Sequence, residues 1–153
     1  MVKKKNFYIF ILFLIFTNCG FKLANIDNNY KITEINTTGE NQINFKLKNK
    51  LSFSSPENNK NDVKLEIDSK KSKNIKEKNI SNQINKYEIR IEVKVKFISS
   101  NKVGNFTISK NGDYNVSNIY SETLNREKNV TNTLINEILE EIIENLNLNF
   151  NDS

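Results

Sequence analysis

Eleven consecutive residues, Tyr87 to Phe97, alternate without a break between apolar and charged side chains. Tyr87, Ile89, Ile91, Val93, Val95 and Phe97 take the apolar positions. Glu88, Arg90, Glu92, Lys94 and Lys96 take the charged ones. Period two places the first set on one side of a long strand and the second set on the other, so one face is buried and one is solvated. The charged row carries both signs, which suits a solvated face laced by cross-strand ion pairs. A strand of this kind needs neighbours in a sheet and a layer that covers its apolar side.

The neighbours are legible in part. Val63, Leu65 and Ile67 alternate with Lys64 and Glu66, and Tyr30-Lys31-Ile32-Thr33-Glu34-Ile35 gives a third strand. Phe106-Thr107-Ile108 follows a turn at Ser99 to Lys102 and makes a hairpin with the long strand. Asn111-Gly112 predicts a tight turn that splits the segment 106–116 into two short strands, with a bulge in one long strand as the alternative. Ser69 to Asn85 is polar and lysine-rich. It reads as an exposed mobile loop or an irregular strand extension. Ser52 to Asp62, with the single proline, reads as another loop.

Two stretches have helical period. Asn41 to Leu51 places Ile43, Leu47 and Leu51 four apart, with Phe45 off the stripe. Val130, Leu134, Ile135, Ile138, Leu139, Ile142, Ile143 and Leu146 follow the 3-4 pattern for more than four turns, with Glu137, Glu140, Glu141 and Glu144 on the other side. The element order is strand, helix, strand, strand, strand, helix. The expected fold is α+β: a two-layer sandwich of a mostly antiparallel four-stranded sheet with two helices on one face.

The chain opens on Lys3-Lys4-Lys5, an apolar run from Phe7, and then Thr17-Asn18-Cys19-Gly20. A basic start, a short apolar run and a boundary cysteine read as a lipoprotein signal peptide over 1–18, with lipid on Cys19 and one domain over 19–153. As a helix, the apolar run would span roughly 16 Å against a hydrocarbon core of about 30 Å, too short to cross comfortably. The leader holds three lysines and no acid, so its removal lowers the net charge from +5 to +2. This is a weak footprint for nucleic acid, and no nucleic-acid partner is expected.

The chemistry of an active site is missing from the composition. The chain has no His, and its single Cys sits at the leader boundary. There is no Gly-x-Ser-x-Gly and no phosphate-cradling glycine loop. We therefore expect neither an enzyme nor a cofactor or metal protein. Asn and Lys are so common that one lysine alone is weak evidence of a binding site.

The stretch Cys19-Gly20-Phe21-Lys22-Leu23 resembles the opening of the LptE family of lipopolysaccharide-assembly lipoproteins, whose members typically begin Cys-Gly-aromatic-x-Leu. The element order, the long strand starting at Tyr87 and the stripe from Leu134 to Leu146 are similar as well. The resemblance implies a lipid-anchored protein on the periplasmic face of the outer membrane. It implies a plug and assembly partner for the LptD β-barrel that contacts lipopolysaccharide, and Gly20 fits outer-membrane sorting. Lipid A bears phosphates, which basic side chains can pair. Lys86 beside the long strand, and Arg126 and Lys128 ahead of the last helix, are the candidates. By position, Arg126 matches a basic residue of the family's segment. The competing expectation is a small structural or assembly lipoprotein of another envelope complex, without lipid cargo.

Overall fold

The computed structural model describes residues 30–53 and 61–151. The leader, Cys19, the opening motif and the proline of the Ser52–Asp62 segment lie outside the described residues. The elements follow the expected order: β1 (Tyr30–Gly39), α1 (Asn41–Phe53), β2 (Asn61–Lys78), β3 (Ile84–Ser99), β4 (Val103–Asn115) and α2 (Tyr120–Asn151). The four strands form one sheet in the order β1-β2-β3-β4. β2–β3 and β3–β4 are antiparallel hairpins, whereas β1 and β2 are parallel, with α1 as the crossover that a parallel pair requires. The sheet is thus mixed but mostly antiparallel.

The register confirms the two-faced reading of the long strand. Leu65, Phe97 and Gly104 lie opposite one another, as do Ile67, Val95 and Phe106. Together with Ile89, Ile91 and Val93 these residues build the covered face. Both helices pack on it. Ile43, Leu47 and Leu51 of α1 and Leu134, Ile135, Ile138, Ile142 and Leu146 of α2 are all buried. Phe45, off the stripe, is 68% exposed. The other face of the sheet is open and polar, crossed by Glu34–Lys64 at 2.9 Å and Glu66–Lys96 at 3.0 Å.

β1 ends where Gly39 takes a left-handed φ of 91°. A Cβ there would lie 1.9 Å from the Ser69 carbonyl oxygen, so only glycine fits the turn. The next amide, Glu40 N, donates to that carbonyl at 3.0 Å. Buried polar groups close the corner: Ser69 Oγ donates to Asn44 Oδ1 at 2.7 Å, and Asn44 Nδ2 donates to the Thr38 carbonyl at 2.8 Å. At this corner the buried Ser69 and Asn44 side chains both have partners, which burial requires.

Three expectations are corrected, and one alternative is settled. Asn111-Gly112 is neither turn nor bulge: β4 runs unbroken, with Arg90 opposite Asn111 and Ile89 opposite Gly112. The glycine is needed for close approach, since a Cβ on it would sit 2.9 Å from Val130 Cγ1 of α2. Of the two readings for Ser69 to Asn85, the strand extension holds. β2 continues to Lys78 with irregularities near Lys76, then turns at Asn79–Gln83. Ser52 lies in the last turn of α1, and Asn61 and Asp62 open β2, so the Ser52–Asp62 loop is shorter than expected. Finally, α2 starts ten residues before its apolar stripe. Arg126 and Lys128 are therefore inside the helix and not ahead of it.

Candidate functional site

β1 stops opposite Ser69, and α1 must return from that level to the start of β2. Beyond Ser69, β2 therefore loses both its strand neighbour on that side and the helix above it. Its outer half, Lys70 to Lys78, is an edge strand carrying Lys70, Lys71, Lys73, Lys76 and Lys78. Lysines along an edge discourage pairing with foreign strands. The β2–β3 hairpin, the end of β4 and the first turns of α2 meet at this pole. It lies opposite the one where Tyr30, Phe97 and Phe150 cluster with ring centroids 5.5 and 5.6 Å apart.

On the covered side the period of β2 runs on as Lys71, Lys73 and Ile75, opposite Ile91, Ile89 and Tyr87. Their stems lie over the sheet while their charges reach α2. Lys71 and Lys73 contact Glu127 at 3.2 and 2.7 Å, and Tyr114 Oη donates to the same carboxylate at 2.8 Å. Lys73 Nζ stands 4.3 Å from the centroid of the Tyr87 ring, which stacks on Tyr114 at 5.7 Å. Partial burial works to raise the Glu127 pKa, but the bonds from Lys73, Tyr114 and Lys71 outweigh it and bring it down to about 2. Partial burial works to lower the pKa of Lys73, and Glu127 and Tyr114 outweigh it and raise it. Glu127 and Lys73 are therefore both charged at neutral pH, Tyr114 stays a neutral donor, and the cluster joins β2, β4 and α2.

Lys86, Arg126 and Lys128 all belong to this pole but not to one patch. Arg126 Nη1 donates to the Asn115 carbonyl at 3.3 Å, and its guanidinium lies 3.6 Å from Glu122. Lys86 is directly opposite Asn115 in the ladder and lies 3.5 Å from Glu77. These two share a corner. Lys128, two residues after Arg126, lies about 200° round the helix. It borders a cavity of about 210 Å³ with Lys71, Leu124 and Gln42, on the flank of α2 that faces α1. Among the described residues no carboxylate pairs with Lys128. Sequence reasoning passed over Lys71, Lys73, Tyr114, Leu124 and Glu127. The signal for the two lysines was present: they continue the alternation of Val63, Leu65, Ile67 and Ser69.

The same pole exposes apolar side chains: Ile75, Ile80 at the hairpin tip, Ile119, Tyr120 and Leu124. The open face of the sheet holds a broad trough of about 530 Å³ across all four strands, with Thr38, Asp68, Lys96 and Thr107 among its walls. Among the described residues no set of carboxylates is placed to hold a metal ion, and no helix is long and apolar enough to cross a membrane.

No family model matches the chain, and no curated protein matches it in sequence. Solved structures do. The rare lipoprotein B of Shewanella oneidensis is 9% identical, with 74% of this chain and 92% of that one covered at a TM-score of 0.55. A lipoprotein from Caulobacter crescentus is 13% identical, with 78% and 92% covered at a TM-score of 0.52. At such identities the likeness is one of fold. The chain has the fold of bacterial lipoproteins of the rare lipoprotein B type.

Proposed function

We propose that this chain is an outer-membrane lipoprotein, anchored through Cys19, that serves as plug and assembly partner of an LptD-type β-barrel in lipopolysaccharide transport. The fold carries this reading, because rare lipoprotein B is of the LptE type. It is the same type that the residues Cys19 to Leu23 resemble. The surface suits the role. A barrel lumen is polar, and the open face of the sheet offers ion pairs, hydroxyls and amides. The pole bearing Lys86, Arg126 and Lys128 combines cations with exposed apolar side chains, the chemistry that an anionic lipid presents in reverse.

Depletion tests the reading. Plug and barrel stabilise each other by mutual binding, so loss of the plug leaves the barrel immature. Depleted cells should lose the mature barrel and surface lipopolysaccharide together. Unchanged levels of both would refute the reading.

One observation favours a second reading. Lys71, Lys73, Lys76, Lys86 and Arg126 all have carboxylate partners within the fold. A structural lipoprotein of another envelope complex, without lipid cargo, would use its cations in that way.

A further inference from the structure

At the end of the molecule opposite the basic pole, Tyr30 opens β1 beside Asn61, the turn Ser99–Lys102 joins β3 to β4, and α2 runs out at Asn151. Lys102 Nζ donates to the Asn149 carbonyl at 2.8 Å, which ties the turn to the last turn of α2. Val103 and Leu148, each one residue from that contact, therefore share a rim. Val103 is 65% exposed and Leu148 61%. Ile98, opposite Val103 in the ladder, is half-buried and extends the apolar rim onto the open face. Single exposed apolar side chains are ordinary on a protein surface. These differ in standing where the chain enters the fold.

The tether selects this end for the membrane. Cys19 lies eleven residues before Tyr30, a stretch that spans at most about 40 Å fully extended. β3, with 16 residues, is about 50 Å long. With lipid on Cys19, an upright molecule resting on its hairpin tip would hold Tyr30 about 50 Å from the bilayer, beyond the reach of the tether. Laid on its open face, the molecule would press the Glu34–Lys64 and Glu66–Lys96 pairs into lipid and strip them of water. Laid on its helices, it would turn the exposed Glu137, Glu140 and Glu144 toward anionic headgroups. The Tyr30 end meets neither obstacle. Its charges are Lys31 and Lys102 against Asp62, and among the described residues no carboxylate is paired with either lysine.

We infer that, before it meets a barrel, the anchored chain stands on the phospholipid surface on this end. Val103, Ile98 and Leu148 lie at headgroup level, and the β2–β3 hairpin points away from the bilayer. The inference rests on the lipid anchor of the proposed function. Apolar contact with the interface adds to the hold of the acyl chains, and two weak attachments to one surface reinforce each other. Lys102 lays its stem along the same rim, as long basic side chains do at an interface.

The test uses the full chain, purified from membranes and reconstituted without a barrel into vesicles of phosphatidylethanolamine and phosphatidylglycerol. The single native cysteine is the lipid-bearing one, so a cysteine placed elsewhere takes a label alone. Val103→Cys, Leu148→Cys, Phe45→Cys and Ile80→Cys each receive a polarity-sensitive fluorophore, and a share of the lipid carries a quencher on its headgroup. Labels at 103 and 148 should shift to the blue and be quenched. Labels at 45, on the flank of α1, and at 80, on the hairpin tip, should do neither. A label on Asn101→Cys should also be quenched, and should lose that quenching when Val103→Glu and Leu148→Glu are combined. Both side chains are exposed, so the double variant keeps its fold, which circular dichroism checks. Equal quenching at all four sites would overturn the inference, as would a label at 101 indifferent to the double variant. A blue shift without quenching would mean that protein, such as a second copy, covers the rim, and would overturn it too. Flotation with the vesicles scores the anchor separately. A chain that floats but fails these tests leaves the anchor standing, and one that does not float removes both.

Discussion

Lys73 Nζ lies 2.7 Å from a Glu127 carboxylate oxygen, and through that contact the outer half of β2 is tied to α2. β1 does not pair with this part of the strand, and α1 reaches only its beginning, where Gln42 and Lys71 border one cavity. The ladder to β3 and the Glu127 cluster hold it in place. Glu127 is 20% exposed, so the cluster is screened less than an ordinary surface pair.

Acid should loosen this pole first. The pKa of Glu127 is about 2 in the fold against an ordinary 4.5. A depressed carboxylate pKa gives stability that is fully present above the unfolded value and lost as pH falls through the folded one. The window is therefore about pH 4.5 down to 2, with about 1–2 kcal/mol at stake after allowance for partial exposure. Thermal melts at pH 6 and pH 3 should show it, and Glu127→Gln should flatten this part of the pH profile. An unchanged acid limb in the variant would remove Glu127 from the account.

Gly112→Ala should destabilise the domain by about 1–3 kcal/mol, because the added carbon meets Val130 Cγ1 at 2.9 Å and either the valine side chain or α2 must shift. Urea titration measures this. A neutral effect would mean that α2 does not press on β4 here.

The long strand makes a sharper pair. Ile91 is fully buried, and Glu92 stands on the open face near Lys94. Ile91→Asp buries an unpaired charge and should prevent folding. Glu92→Lys should change stability by no more than about 0.5 kcal/mol. Circular dichroism of the two variants decides it, and similar outcomes would contradict the register.

These contrasts mark where the sequence was readable. Burial on one face writes a pattern into the chain, so β3, the stripe of α1 and the C-terminal two-thirds of α2 were visible from spacing alone. Lys70 to Lys78 was ambiguous because its strand structure comes from the ladder to β3, a partner in no local window. Asn111-Gly112 misled because the glycine answers the approach of Val130, a contact across eighteen positions. The first ten residues of α2 carry no continuous apolar stripe, and their start is fixed by Ser117 and Thr123. Ser117 N donates to Thr123 Oγ1 at 2.9 Å, and Ser117 Oγ donates to Glu122 at 2.6 Å. The three basic candidates were named from position, but only folding shows that α2 separates Lys128 from Arg126 and Lys86.

Anchoring has its own test. Cys19→Ser should abolish incorporation of labelled fatty acid and release the protein from the membrane fraction. One acyl chain alone binds a bilayer only marginally, so several chains or a partner must hold the wild type there. Absence of label in the wild type would contradict the lipid anchor.

The central claim, that this chain fills a lipopolysaccharide-exporting barrel, is tested most directly by affinity capture of the tagged full chain from detergent-solubilised outer membranes. The account predicts one β-barrel protein recovered in equimolar amount, and the same recovery from an Arg126→Glu, Lys128→Glu variant whose lipopolysaccharide binding is weakened. Capture of the chain with no barrel at comparable amount would contradict it.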